Sequence, residues 1–313
     1  MLKVNSAALS VFMLGIFSMP LQAQFQLEKH DAGVRVMLNG QMMTDYLTAA
    51  PSPILWPLLG PDSVKLTRDF PMIADTEGEK RDHPHHRSLW FTHGLVNGTD
   101  FWHKGGKVNH REFTQLSDGP VAVIGSTNVW TKDEGEDVLT ERRRMSFGAG
   151  ENYRWIDFDI RLVAQFGDVH FGDTKEGAFA VRVAETMKVE ARKGGKIVNS
   201  FGKKDLLAWR QPATWVNYTG PVCEKTYGIA MFSHPSSFGH PVRWHVRTYG
   251  LFAANPFGEK QFTGGYEEGP GVQLKQGEEL SLHFRVVLHK EITDGETISK
   301  LYDEYAKQPV IQP

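Results

Sequence analysis

The chain has 313 residues, of which 40% are hydrophobic and 23% are charged, and its formal net charge is −2. This composition is typical of a soluble globular protein that is long enough to bury a sizeable core. Because there is no excess of positive charge to track a phosphate backbone, the composition argues against a nucleic-acid partner.

The first 23 residues have the pattern of a secretory signal peptide. Lys3 is their only charged residue, and an apolar stretch over residues 8–19 is followed by Pro20 and the small residue Ala23. A membrane anchor needs about 20 apolar residues, and this stretch is shorter. We therefore expect cleavage after Ala23 and a mature chain, residues 24–313, that is periplasmic or secreted and has no membrane span.

Alternation of apolar and polar residues dominates the mature chain. In "YRWIDFDIRLVAQF" (residues 153–166) and "ELSLHFRVVLH" (residues 279–289), every second residue is apolar, as in a half-buried strand. Only "GETISKLYDEYAKQ", which begins at Gly295, has helical spacing. Further strands are predicted at Gly33–Leu38, Val121–Thr131, Val138–Phe147, Ala178–Val189, Tyr227–His234 and Trp244–Leu251.

Many strands and little helix predict an all-β protein. We expect a single large antiparallel β-sandwich over residues 24–313 with a short C-terminal helix, and two smaller β domains are the alternative. Cys223 is the only cysteine, so no internal disulfide can form. We predict that Cys223 is a small packing residue.

The segment "DHPHHRSLWFTHG", residues 82–94, contains the densest group of titratable side chains. It holds His83, His85, His86 and His93 beside Arg87. The proline after His83 excludes a regular helix and predicts a stiff loop or strand start. Three interpretations compete: a metal site, an acid/base site and a solvated loop without a function.

Two later segments have similar chemistry. In "FGDTKEG", glycines flank Asp173 and Glu176, which indicates either a plain hairpin turn or a loop that presents carboxylates. In "RWHVR", an extended chain would place Arg243, His245 and Arg247 on one face and Trp244 on the other.

Aromatic residues accompany these segments and could stack on the apolar faces of a sugar. Trp215 and Trp244 are the platforms we predict, although any single Trp is more often a core residue. His234, in the first of two later His-Pro pairs, is a further candidate for substrate binding.

Motifs for other chemistries are absent. The sequence has no HExxH, CxxC, GxSxG or Walker loop, and no GxGxxG opens a helix after a strand. A divalent metal held by His85, His86 and a distant carboxylate is chemically reasonable, but the spacing matches no standard metal motif.

Several long motifs resemble one family. They are "WPLLGP", "TRDFPM", "GEKRDHPHHRSLWFTHGLVNGTDFW", "FGDTKEG" and "HPSSFGHPVRWHVRTYGLFAANPFG", and they are similar to the PmoA-like family of secreted bacterial proteins, a domain of unknown function. The resemblance implies a galactose-mutarotase-like sandwich, a fold in which a glutamate and two histidines move protons at the anomeric carbon. The methane-oxygenase name of the family does not suit this chain, which has no candidate membrane span after residue 23.

We therefore predict a carbohydrate-active protein that uses acid/base proton transfer, as an epimerase, lyase or hydrolase. The alternatives are a sugar-binding module without turnover, a metal-dependent sugar enzyme and a structural envelope protein. We expect the three segments to meet on one concave, water-accessible face. The predicted catalytic residues are His85, His86, His245, Asp173 and Glu176, and the predicted binding residues are His83, Arg87, His93, Trp215, His234, Trp244 and Arg247.

Overall fold

The computed structural model describes residues 23–49, 51–264 and 269–313. It is 48% strand and 10% helix, and this content confirms the predicted all-β class with a short C-terminal helix. The predicted signal peptide lies outside the described residues, except for Ala23.

Eighteen strands and two α-helices form the described part of the chain. The helices are α1 (Glu259–Thr263) and α2 (Gly295–Ala306). The strands are β1 (Phe25–His30), β2 (Gly33–Leu38), β3 (Gln41–Leu47), β4 (Ile54–Trp56), β5 (Leu89–His93), β6 (Gly106–Ser117), β7 (Ala122–Lys132), β8 (Asp137–Ala149), β9 (Tyr153–Val163), β10 (Val169–Phe171), β11 (Gly177–Arg182), β12 (Lys196–Asn199), β13 (Trp215–Val222), β14 (Lys225–Ser233), β15 (Arg243–Val246), β16 (Leu251–Asn255), β17 (Val272–Leu274) and β18 (Glu279–Lys290).

Two large antiparallel sheets face each other. Sheet A has the strand order β1-β2-β3-β4-β5-β11-β16-β15, and sheet B has the order β12-β13-β14-β18-β9-β8-β7-β6. Strands β10 and β17 form a separate pair. The alternating pattern of the sequence therefore produces a sandwich with two inner faces and two outer faces.

The core lies between the two sheets. The Phe179 ring of sheet A lies 4.7 Å from the Phe158 ring and 4.9 Å from the Phe284 ring, both of sheet B. All three side chains are buried. These contacts explain the alternation in the two long strand motifs, because every second side chain enters this layer.

Helix α2 covers part of the outer face of sheet B. Its N-cap is Asp294, whose carboxylate accepts a hydrogen bond from the Thr297 amide at 2.7 Å. Ile298 and Tyr305 are buried against the outer face, in a cluster that includes Trp215. The helical spacing seen in the sequence is thus explained by burial of one helix face.

Three local predictions were wrong. The strand predicted at Ala178–Val189 ends at Arg182, after which the chain forms two short 3₁₀ turns. The strand predicted at Trp244–Leu251 is broken by a hairpin turn at Gly250, whose φ of 102° favours glycine and whose amide bonds the Arg247 carbonyl. Cys223 is exposed, because it lies in the tight turn between β13 and β14.

None of the helices in residues 23–49, 51–264 and 269–313 is long and apolar enough to cross a membrane.

Candidate functional site

The outer face of sheet A has a regular row of side chains at its centre. Trp90, Ala180, Ala253 and His245 are paired in register across β5, β11, β16 and β15. Three strand spacings separate Trp90 from His245, which is about 14 Å. Both alanines are fully buried although they face outward, because a second layer of side chains covers them. We call this second layer, which includes Trp90 and Trp102, together with the side chains at its solvent edge, the outer-face site.

Arg68 shapes the loop that carries the first histidines into this site. Its guanidinium is fully buried and donates hydrogen bonds to the carbonyls of Phe70, Lys80, Asp82 and His83 at 2.9–3.2 Å. It also donates to the Asp82 carboxylate at 2.6 Å. The loop is therefore wrapped around one side chain, which fixes the direction in which the next residues leave it.

His86 lies deepest in the site. Its ring stacks between those of His83 and Trp90, with centroid separations of 4.8 and 5.4 Å. Arg182 donates to its Nδ1 at 3.2 Å, so the neutral ring carries its proton on Nε2. Burial and the neighbouring cations lower the pKa of His86 well below its ordinary value. The ring is only 1% exposed, so the expected placement of His86 in an open cleft was wrong.

His85 and His103 lie nearer to solvent. Their ring centroids are 4.4 Å apart, and His85 is half-buried whereas His103 is exposed. Burial and the two nearby rings of His103 and His83 lower the pKa of His85 to about 4, which leaves it neutral at pH 7. His103 Nδ1 donates to the Asp100 carboxylate at 2.9 Å, so the lone pair of the neutral ring lies on Nε2.

Glu176 supplies a carboxylate on the same side. Lys175 pairs with it at 2.8 Å, and both side chains are partly exposed. Burial alone raises the pKa of Glu176, but His245, Lys175 and His103 together hold it below its ordinary value. The carboxylate is therefore ionised at neutral pH. Because the neutral ring of His245 carries no charge at that pH, the ion pair with Lys175 is the interaction that still lowers the pKa of Glu176.

His245 completes the group. Its Nδ1 donates to the Lys175 carbonyl at 2.9 Å, which leaves a lone pair on Nε2 of the neutral ring. Burial lowers the pKa of His245 to about 4, although the charge of Glu176 acts in the opposite direction. The ring is 2% exposed, so its expected placement in an open cleft was also wrong. As predicted, Arg243 and His245 lie on one face of β15 and Trp244 on the other, and Arg247, which follows the strand, approaches the same Trp209 ring as His245.

Asp173 supports the site from behind. Its two carboxylate oxygens accept hydrogen bonds from the amides of Lys260 and Gln261 at 2.7 and 2.9 Å, at the start of α1. The Gln261 side chain in turn accepts a hydrogen bond from the Lys175 amide at 2.7 Å. Asp173 therefore positions the loop that presents Glu176, and its oxygens do not face the histidines.

The rim of the site is aromatic and cationic. The Arg247 guanidinium lies 5.0 Å from the Trp209 ring and 5.5 Å from the Tyr249 ring. Arg182 lies 5.0 Å from the same Tyr249 ring, and the His83 ring stacks on it at 5.1 Å. Trp209 and Tyr249 are half-buried, so part of each ring faces solvent.

The remaining predicted residues lie apart from this group. Trp244 is fully buried in the core, and His93 is buried with Nε2 bonded to the Gly172 carbonyl at 2.7 Å. Arg87 donates to the Ser52 carbonyl at 3.2 Å. Trp215 and His234 lie on the outer face of sheet B, next to Tyr305 of α2. The structure thus brings together His83, His85, His86, Glu176, His245 and Arg247.

A metal ion does not suit the histidines. Within the described ranges, no three His, Cys, Asp or Glu side chains are grouped so that they could hold one ion. The rings of His83 and His86 are nearly parallel, with an interplanar angle of 9°, so their in-plane lone pairs cannot converge on one point. His86 Nδ1 is also occupied by Arg182.

Sequence reasoning missed five residues of the site: Arg68, Asp100, His103, Arg182 and Tyr249. Arg182 was detectable, because it is the only charged residue in "GAFAVR", the otherwise apolar strand β11. His103 directly follows a tryptophan in the long histidine motif. Contact between Arg68 and the loop twelve residues later has no local signature.

A cleft of about 650 Å³ lies elsewhere, on sheet B beside the C-terminal residues 311–313. It is lined by Arg142 and Phe166 among others. The described residues that line it include one carboxylate, Glu112, and no histidine. It therefore lacks the groups for acid/base chemistry that the outer-face site has.

Solved structures with similar folds include three carbohydrate-related proteins. A galactose mutarotase-like protein from Lactobacillus casei is 9% identical with a TM-score of 0.37, and 85% of this chain aligns with all of that chain. A putative aldose 1-epimerase from Escherichia coli is 11% identical with a TM-score of 0.34, over 86% of this chain and 99% of that chain. A glycoside hydrolase family 97 enzyme from Pseudoalteromonas, in complex with acarbose, is 8% identical with a TM-score of 0.33 over 85% of this chain. The chain spans about a third (34%) of that enzyme's length.

Identities and TM-scores this low assign no activity or residue role to this chain. No curated protein sequence matches it. The family model that matches is described as a family of unknown function, DUF6807, and nothing in the match supports the PmoA name. The match runs over residues 33–303, which is most of the chain, and the protein therefore belongs to the DUF6807 family.

Proposed function

We propose that this protein is a carbohydrate-active enzyme that transfers protons beside a carbonyl group, as an epimerase or lyase does. The observation that carries the proposal is the convergence of an ionised carboxylate, Glu176, with neutral rings of His85 and His245 on the outer face of sheet A. Groups that differ in protonation at one pH are what acid/base chemistry requires.

The reaction follows from the charges of these groups. Glu176 accepts a proton from the carbon beside the carbonyl, and the electron pair moves to the carbonyl oxygen. Lys175, which is paired with Glu176 at 2.8 Å, and Arg247 stabilise the negative charge that develops there. Return of a proton to the opposite face of the carbon gives an epimer, and loss of a neighbouring oxygen substituent gives an elimination product.

Two histidines are suited to proton transfer at the oxygens of the substrate. His103 and His245 each donate Nδ1–H to an oxygen of the protein, so the neutral form of each ring presents an Nε2 lone pair. Such a ring accepts a proton from one substrate oxygen and returns it to another. The exposed parts of Trp209 and Tyr249 support a sugar as the substrate, because sugar rings stack on aromatic faces.

Hydrogen exchange in D₂O tests the proposal directly. Reducing sugars, keto-glycosides and uronic-acid glycosides are incubated with the protein, and loss of carbon-bound hydrogen is followed by NMR. Glu176→Gln should slow exchange about 100- to 10,000-fold, because the base is removed without a change in shape. Glu259→Gln is the matched control, since Glu259 is exposed and pairs with Arg243, and it should leave the rate unchanged.

The outcomes separate this proposal from its main rival. Saturable sugar binding without exchange or product would instead indicate a sugar-binding module. Exchange that survives Glu176→Gln would move the base to another residue and contradict our assignment.

We also propose that the protein is exported, on the basis of the pattern in its first 23 residues. Intact-mass analysis of the protein from its native host should give a chain that begins at Gln24. Retention of Met1 would contradict export by this route.

A further inference from the structure

Two arginines, Arg243 in β15 and Arg247 directly after it, differ in how their charge is compensated. Arg243 binds the Glu259 carboxylate through two hydrogen bonds of 2.7 Å and also donates to the Arg210 carbonyl. For Arg247, the described part of the chain provides no carboxylate within ion-pair distance, and its guanidinium contacts the rings of Trp209 and Tyr249. Arg247 therefore has a fixed position but an unused charge.

Stacking on rings leaves the edge of a guanidinium available. The ring faces hold the planar group without consuming its N–H donors. Those donors form a rigid fork that matches the two oxygens of a carboxylate. A half-buried arginine in this arrangement has lost part of its hydration before any ligand arrives, which strengthens its interaction with an anion.

The neighbouring charges reinforce the preference for an anion. Arg68 and Arg182 are both fully buried and share one oxygen of Asp82, at 2.6 and 2.9 Å. The Nε–H of Arg182 has no hydrogen-bond partner among the residues that the structure describes. Arg182 and Arg247 both lie beside the Tyr249 ring, so their fields add at this end of the outer-face site.

This positive end adjoins the proton-transfer groups. His245 lies in β15 and Arg247 directly follows the strand, and both approach the Trp209 ring, at 6.5 Å for the His245 ring and 5.0 Å for the Arg247 guanidinium. His245 Nδ1 donates to the Lys175 carbonyl at 2.9 Å, and Lys175 pairs with the Glu176 carboxylate at 2.8 Å, so Glu176 lies beside this end of the site. A ligand anion bound by Arg247 would therefore place its adjacent carbon near Glu176.

We propose that the substrate is a uronic-acid sugar whose carboxylate is bound by Arg247. The proposal rests on the proposed function. The carboxylate of the uronic acid is the carbonyl group beside which the proton is removed. Glu176 accepts the C5 proton, and the electron pair moves into the carboxylate, whose growing charge Arg247 stabilises. Release of that proton to solvent and reprotonation by water at the opposite face of C5 gives the epimeric uronate. Transfer of the proton from Glu176 to a departing C4 oxygen substituent gives instead the 4,5-unsaturated uronate.

Calorimetry with matched glycosides tests the inference. Methyl glucuronide and methyl galacturonide are compared with methyl glucoside and methyl galactoside, which carry a hydroxymethyl group in place of the carboxylate. The full-length mature protein should bind at least one uronide ten-fold or more tightly than its neutral partner. Arg247→Gln should abolish that preference, Arg247→Lys should restore part of it, and Arg243→Gln should leave it unchanged. Melting temperatures verify that the variants fold.

The outcomes distinguish this inference from the proposed function. Carbon-bound hydrogen exchange with equal affinity for acidic and neutral glycosides would overturn the uronate assignment and leave the proposed function standing. A uronide preference that depends on Arg247 but is accompanied by no exchange would support the binding site and overturn the proposed catalysis. Failure of all four glycosides to bind would overturn the inference.

Discussion

The outer faces of sheets A and B carry the same kinds of side chains but use them differently. On sheet B, Arg285 donates to Asp157 at 2.6 and 2.8 Å, and His283 bonds Asp159 at 2.7 Å. Helix α2 and the residues after it cover this face, and His234 bonds the Gln308 carbonyl there. Each of these charged or titratable groups has a protein partner.

On sheet A, several charged or titratable groups are only partly compensated by the residues that the structure describes. Two buried arginines share the Asp82 carboxylate, and the Nε2 atoms of His103 and His245 carry lone pairs. The short helix α1 contacts His245 through Phe262, with ring centroids 6.2 Å apart, but His103 stays exposed and Trp209 and Tyr249 stay half-buried. A paired group stabilises the fold, whereas an unpaired group at an accessible edge is available to a ligand.

Acidification is expected to have the largest effect. It should be larger on the sheet A side, where burial lowers the pKa of His85, His93 and His245 to about 4, than on sheet B, where burial lowers the pKa of His289 to about 3. Burial lowers the pKa of His93 and of His245 to about 4, against 6.5 for the unfolded chain. Between these values the unfolded chain binds more protons, so the free energy of unfolding decreases as pH falls from about 6.5 to 4. Each ring should contribute on the order of 3 kcal/mol to this loss. Hydrogen–deuterium exchange at pH 7 and pH 5 should show loosening of β5 and β15 first, and uniform loosening of both sheets would contradict the comparison.

The two faces should also respond differently to loss of an arginine. Arg285→Met leaves the Asp157 carboxylate without its partner and should cost about 3–5 kcal/mol in unfolding free energy. Arg247→Gln breaks no ion pair with the residues that the structure describes and should change stability by about 0.5 kcal/mol or less. Urea denaturation measures both, and equal losses would show that Arg247 is a structural residue.

Within sheet A, the histidines should separate by depth. His86→Ala leaves the Arg182 donor without its acceptor and should cost about 1–3 kcal/mol. His103→Ala removes an exposed ring and should cost about 0.5 kcal/mol or less while reducing activity. Thermal melting with an activity assay tests these two variants. If His86→Ala leaves the melting temperature unchanged, the His86 ring does not stabilise the buried Arg182 guanidinium.

The smallest expected effect concerns the acidic limb of the pH–activity profile, where activity falls as the pH is lowered. Lys175 helps to hold the pKa of Glu176 below its ordinary value, so Lys175→Met should raise that pKa. Activity should then begin to fall at a higher pH than in the unmodified enzyme, because the base is protonated earlier. Lys260→Met, on the adjoining helix α1, is the comparison variant and should leave the limb in place. An unchanged limb in both would argue against Glu176 as the base.

The sequence by itself determined the sheets and the chemical types of the site. Alternation fixes which side chain of a strand is buried, and this is a local property, so β2, β9, β18 and α2 were predictable. The placement of Arg243 and His245 on one face of β15 followed from the same rule. The histidine loop and Glu176 stood out by composition alone.

Tertiary structure decided which of these residues meet and how deeply each is buried. His86 belongs to the long histidine motif and His103 directly follows it, yet one is covered by Arg182 and Trp90 and the other faces solvent. The sequence alone does not distinguish Asp173 from Glu176. In the structure, amides of α1, almost 90 residues later in the chain, donate hydrogen bonds to both Asp173 oxygens. Burial, tautomer and charge compensation depend on neighbours that are distant in the chain, and a local pattern contains no information about them.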